Sequence, residues 1–272
     1  MALSLLHPLF RHVAVLAALM LMAGCASLSS SGSDHGHFVA RSVTVNGMHM
    51  PYQVFVPAHA ARQPGPLPVV LFLHGSGERG RDGVKQTEAG LGPYLRMHAA
   101  DFPALAVLPQ APDNEEWSGR NNVLALAALD AAIAEFAADP ERQYLTGMSM
   151  GGYGSWNIAL AEPTRFAALA PICGGIRAPR SERPGLLVAA LADENDPYAA
   201  LAQRLKNVPI RIFHGALDNV VPPDDDRHLR DAFQAANARD VRYIEYPQGD
   251  HNAWDATYAD PAMWAWLFAQ ER

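Results

Sequence analysis

Leu145-Thr146-Gly147-Met148-Ser149-Met150-Gly151-Gly152-Tyr153-Gly154 is an apolar run that breaks into a glycine-rich turn around a single serine. Residues 142–146 read as a short strand, and residues 153–161, stopped by Pro163, read as a helix. Strand, Gly-x-Ser-x-Gly and helix in succession describe a turn too tight for side chains at the two flanking positions. Gly147 and Gly151 leave that room, so Ser149 is expected at the carboxyl edge of a sheet, its hydroxyl projecting at the mouth of the following helix. An incidental serine in a glycine-rich helix start would not need the apolar strand directly before it.

Outward from this turn, strand-like and helix-like segments alternate from about residue 39 to the end. That pattern predicts an α/β fold, a mostly parallel central sheet with helices on both faces. Residues 68–73 and 104–108 are apolar without alternation, as in strands buried on both faces. Residues 167–172, 210–213 and 241–246 supply later strands, and 121–138 and 261–270 read as helices. The opening differs: 39–45 and 51–56, connected through Asn46-Gly47, read as an antiparallel hairpin. Fewer than forty residues separate the strands at 172 and 210, which predicts a minimal lid, with 196–205 as its helical piece.

A serine hydroxyl needs a base to take its proton and a group that fixes the base's tautomer. In this architecture the order is nucleophile, acid, histidine, and only His214, His228 and His251 follow Ser149. His251 lies in Gln248-Gly249-Asp250-His251-Asn252, after the last strand, and is the candidate base. His214 reads as a satisfied loop residue beside Gly215, and His228 as solvated in a polar helix over 225–236. Asp218, past the strand at 210–213, is the candidate acid. Its rivals are Asp193 and the run Asp224-Asp225-Asp226, which reads more simply as a helix N-cap favoured by the helix dipole. Oxyanion donors are expected at the backbone N–H groups of Met150, directly after the nucleophile, and of Ser76 in His74-Gly75-Ser76-Gly77. Trp117 and Trp254 are candidate walls of the substrate pocket. No metal or cofactor is implied.

The N-terminus is excluded from these arguments. His7 and Arg11 precede an apolar run over 13–22, too short to span a bilayer, and Met22-Ala23-Gly24-Cys25 resembles the lipobox of bacterial lipoproteins. The resemblance implies a signal peptide over 1–24, lipid on Cys25, and a membrane partner, the outer membrane because Ala and not Asp stands at 26. Residues 25–37 read as a flexible Ser/Gly-rich tether, and 38–272 as one catalytic domain. Cleavage would leave 248 residues, with 20 Lys and Arg against 28 Asp and Glu. Without a basic cluster, nucleic acid is not an expected partner. Cys173 is the only other cysteine, so no disulfide is expected.

Taken together, Leu71-Phe72-Leu73-His74-Gly75-Ser76-Gly77-Glu78-Arg79-Gly80, the Ser149 turn, Phe213-His214-Gly215 with Asp218, and His251-Asn252-Ala253-Trp254-Asp255 resemble bacterial α/β-hydrolases. The likeness is to the carboxylesterase, predicted-peptidase, prolyl-oligopeptidase-like and dienelactone-hydrolase-like group, over about residues 42–270. It implies a serine hydrolase acting on small to medium carboxylic esters through an acyl-enzyme. Dienelactone hydrolases proper use cysteine where this chain has Ser149, so that activity is not implied. A peptidase or amidase on the same residues is the alternative. A noncatalytic binding module would be expected to lose one of Ser149, Asp218 and His251, and all three are present.

Overall fold

The computed structural model describes residues 35–58, 60 and 64–272. The signal run, Cys25 and the tether up to residue 34 lie outside the described residues. Those described fall in one compact unit. Strands β1 (His37–Val45) and β2 (Met48–Val56) form the opening hairpin. Asn46 and Gly47 take φ of 51° and 76°, the left-handed values a two-residue hairpin turn requires. The tight turn carries the ladder straight into Met48 opposite Val45, so β2 begins three residues before the expected Pro51.

The remaining strands are β3 (Val69–Leu73), β4 (Leu105–Pro109), β5 (Gln143–Met148), β6 (Ala168–Ile172), β7 (Ile210–Gly215) and β8 (Val241–Tyr246). They form one sheet in the order β1-β2-β4-β3-β5-β6-β7-β8, antiparallel at β1, β2 and β4 and parallel from β4 onward. Every residue of β3, β4, β5, β6 and β7 is buried, as their unalternating apolar runs predict. The pleat sends Val69, Leu71 and Leu73 into one core and Val70 and Phe72 into the other. The first core packs under α2 (Gly119–Phe136), α3 (Met150–Ala161), α4 (Pro197–Leu205) and α5 (Asp224–Ala235). The second packs under α1 (Leu91–Met97), α6 (Ala253–Ala259) and α7 (Pro261–Phe268).

The winding direction reverses between β3 and β5, since β4 lies outside β3 and β6 outside β5. In open α/β sheets the crevice beyond the carboxyl ends at such a reversal is where ligands bind. Ser149 follows β5 and Ser76 follows β3, so both stand at this point. Between β6 and β7 lie only loops, a 3₁₀ turn at Ala189–Leu191 and α4. No helix among the described residues is long and apolar enough to cross a membrane.

Candidate active site

Ser149 stands between β5 and α3 at φ 53° and ψ −117°, a region that costs a non-glycine residue about 1–3 kcal/mol. Its N–H donates to Ile172 O at 2.9 Å, and its carbonyl accepts from Gly152 N at 2.8 Å. A Cβ at Gly147 would strike the Gly151 carbonyl, and one at Gly151 would strike that of Leu73. The turn therefore exists only with glycine at both places, which is why the sequence signal is local and strong.

His251 sits in the loop between β8 and α6. Asn252 caps α6, its side chain accepting from Asp255 N, and this anchors the residue next to the histidine. Leu217 N donates to Gly249 O at 2.8 Å, tying the loop of Asp218 to that of His251. His251 Nε2 lies 2.9 Å from Ser149 Oγ, and Nδ1 lies 2.7 Å from Asp218 Oδ2. Asp218 can only accept when ionised, so Nδ1 carries the hydrogen and Nε2 is left bare toward the serine. The other oxygen, Oδ1, accepts from Val220 N at 2.8 Å and Val221 N at 2.9 Å. Burial opposes ionisation of Asp218, but the hydrogen bonds from His214, His251 and Val221 outweigh it and hold the carboxyl well below the usual range.

His214 belongs to β7 and not to a loop; it is wholly buried, bonded to Asp226, Asp218 and Val221 O. His228 is exposed and packs on Tyr198. The acid run differs from its expected capping role, because α5 starts after Pro223 with no side-chain cap. Asp224 alone is a surface acid, paired with Arg227. Asp225 is buried and accepts from Ile176 N, Arg177 N and Tyr198 Oη, while Asp226 is buried against His214. Asp193 is exposed, and Asp250 is an exposed loop acid bonded to Asn252 N.

Met150 opens α3, so its N–H belongs to the first turn, where no intrahelical acceptor exists. Ser76 opens the 3₁₀ turn Ser76–Glu78 directly after Gly75. His74 fixes this loop: Nε2 accepts from Ala111 N at 2.9 Å, so Nδ1 donates to Gly75 O at 2.6 Å. Burial lowers its pKa to about 4, and it stays neutral. Arg183 donates to Ser76 Oγ at 2.8 Å and to Glu116, Arg79 pairs with Glu116 at 2.9 Å, and Arg79 Nε meets Met150 Sδ at 3.3 Å. Three loops are thus pinned around Ser76 and Met150 by two arginines and one glutamate, a cluster that sequence reading missed because its members lie far apart in the chain.

The two tryptophans part company. Trp117 is only 1% exposed; its Nε1 donates to His74 O at 2.9 Å and its ring packs edge-on against His74. It supports the Ser76 loop from within the core and offers no open wall. Trp254 is part-buried, its ring edge-on to His251 at 5.5 Å.

The buried histidine gives the fold a pH dependence. Burial alone would lower the pKa of His214, yet Asp218 and Asp226 push it up to about 10. The stability this contributes is complete below about pH 6.5, the unfolded value, and is lost as pH rises through about 10. Melting temperature should therefore fall as pH is raised from 7 to 10, and fall less steeply in Asp226→Asn; equal slopes would contradict this.

Residues 43–270 match the profile of a protein family described as "Putative esterase". Among curated proteins, the chain is 26% identical over 148 residues to "Probable feruloyl esterase C" of Aspergillus niger, covering 53% of this chain and 47% of that protein. It is 28% identical over 222 residues to "Putative carboxymethylenebutenolidase" of Escherichia coli O157:H7, covering 75% of this chain and 74% of that protein. Among solved structures, a thermostable esterase superposes with a TM-score of 0.70 at 30% identity, covering 86% of this chain and 63% of that one. The chain thus spans about half the length of the feruloyl esterase and under two thirds of the thermostable esterase.

Proposed function

Starting from the fact that the chain belongs to the esterase family and has the α/β-hydrolase fold, we propose that it is a carboxylesterase-type serine hydrolase that cleaves small to medium carboxylic esters through an acyl-enzyme on Ser149. The observation that carries this is the unbroken chain from Ser149 Oγ to His251 Nε2 to Asp218, at 2.9 and 2.7 Å. As Oγ attacks the ester carbonyl, His251 Nε2 takes its proton, and Asp218 stabilises the imidazolium that forms. The carbonyl oxygen becomes an oxyanion facing the N–H groups of Met150 and Ser76, donors that need no reorganisation during the step. His251 then protonates the leaving alkoxide. Water repeats the sequence on the acyl-enzyme, releasing the acid and restoring Ser149.

Substrate size follows from what covers the site. The segment between β6 and β7 contributes no extended apolar lid, and the cluster of Arg79, Glu116 and Arg183 puts charge beside the oxyanion loop. Aryl esters with two- to four-carbon acyl chains should therefore exceed twelve-carbon ones in kcat/KM by about tenfold or more. Acylated sugars and hydroxycinnamate esters belong in the same panel, given the name of the Aspergillus relative. A profile rising toward long, emulsified acyl chains would contradict the assignment.

We further propose export and a lipid anchor at Cys25, with the enzyme held at the outer membrane; the support is the lipobox-like run in the sequence. Cys25→Ser should abolish incorporation of labelled palmitate and leave soluble protein or uncleaved precursor. Unchanged labelling would refute the anchor.

A further inference from the structure

His214 has no part in the proton transfers just described, yet it touches the acid. Its Nδ1 lies 2.7 Å from Asp226 Oδ2, and its Nε2 lies 2.9 Å from Val221 O and 3.2 Å from Asp218 Oδ2. Val221 O and ionised Asp218 only accept, so Nε2 carries a hydrogen. A bare nitrogen facing a bare carboxylate would bury two lone pairs against each other, so Nδ1 donates a second hydrogen to Asp226 and the ring is an imidazolium, in keeping with a pKa that Asp218 and Asp226 push up to about 10. The pair thus holds one proton more than a neutral imidazole beside a carboxylate. Burial pushes the Asp226 carboxyl up, its Oδ1 has no partner, and both residues are buried.

We propose that His214, backed by Asp226, is a positioning residue: its Nε2–H, shared between Val221 O and Asp218 Oδ2, holds that carboxylate oxygen in line with His251 Nδ1 and weakens it as an acceptor. His251 therefore keeps its proton-accepting nitrogen free to lower pH than Asp218 alone would allow. The inference rests on the proposed roles of Ser149, His251 and Asp218. A buried ionic pair contributes little net stability compared with an apolar filling of the same volume, so holding β7 to α5 is a weak reason for this one. Other groups nearby are already matched. Glu245, opposite His214 on β8, is bonded to Arg227 and Tyr243. Asp225 is taken by Arg177 and Tyr198. Burial raises the Cys173 thiol and the Tyr153 phenol, keeping both neutral.

The test is kcat/KM against pH on a short aryl ester for Asp226→Asn and His214→Gln, with melting temperatures and the downfield proton resonance of His251 Nδ1–H. In Asp226→Asn the side-chain amide can donate to His214 Nδ1 and leave Nε2–H on Asp218 while removing the extra proton. The acid limb should then move up by about 0.3 to 1 pH unit, with a loss at the plateau under about tenfold. His214→Gln should move the limb the same way and lower kcat about 10- to 100-fold, with KM changing less. The downfield proton should shift in both. An unmoved limb and resonance, with any loss tracking melting temperature, would overturn the proposal. Should His214→Gln fail to fold, Asp226→Asn decides alone. Asp218→Asn, measured alongside, separates the two levels: near-normal turnover there defeats the site assignment itself, whereas collapse there with an unmoved limb in Asp226→Asn defeats only the role of His214.

Discussion

Replacing Ser149 with alanine is expected to lower ester turnover about 10⁴- to 10⁶-fold and leave the fold intact. Removal of the nucleophile from a serine, histidine and carboxylate site costs about as much as removal of all three, because the residues act as one unit. Residual activity over water would come from the oxyanion donors and substrate binding alone. The backbone of the turn is set by Gly147, Gly151 and the bond from Ser149 N to Ile172 O, none of which involves the hydroxyl. Melting temperature should accordingly shift by less than about 3 °C. Turnover within tenfold of the wild type would remove Ser149 from the mechanism.

The second large effect is expected from Asp218→Asn, a fall of about 10³- to 10⁴-fold, comparable to the same change at a serine protease acid. The reason is visible in how the carboxylate is held. Val220 N and Val221 N both donate to Oδ1, so an amide must place its oxygen there and its NH₂ where Oδ2 now meets His251 and His214. His251 can face that NH₂ only with a bare Nδ1, which moves its hydrogen to Nε2 and aims a donor at Ser149. The base is then occupied. Asp193 is exposed and offers no substitute. Asp224→Asn and Asp250→Asn, at exposed acids, should keep turnover within about threefold. Asp225 and Asp226 do not serve as neutral controls, because each is buried with dedicated partners. Collapse of Asp224→Asn or Asp250→Asn with Asp218→Asn near normal would require another acid.

How far the chain could be read from its residues alone depended on whether a signal was local. Strands β3 and β4 announce themselves as unbroken apolar runs, and the serine turn is written in six consecutive residues. The short helices α1 and α6 escaped because seven residues each give too few turns for a periodic pattern. Asp225 and Asp226 read as part of a helix N-cap, since nothing nearby in sequence shows that Arg177, Tyr198 and His214 come to meet them. Trp117 read as a pocket wall, and only its bond to His74 O, 43 residues away, makes it core. The order Ser149, Asp218, His251 is an expectation from architecture, whereas the contacts of His214 with Asp218 and Asp226 could be found only from the distances.

The most direct measurement of the central claim is covalent labelling with a fluorophosphonate, followed by intact mass and peptide mapping. A single adduct should form, on the peptide containing Ser149, at a rate that drops in Asp218→Asn and vanishes in Ser149→Ala. An adduct mapped to any other residue, or labelling that survives in Ser149→Ala, would contradict the account.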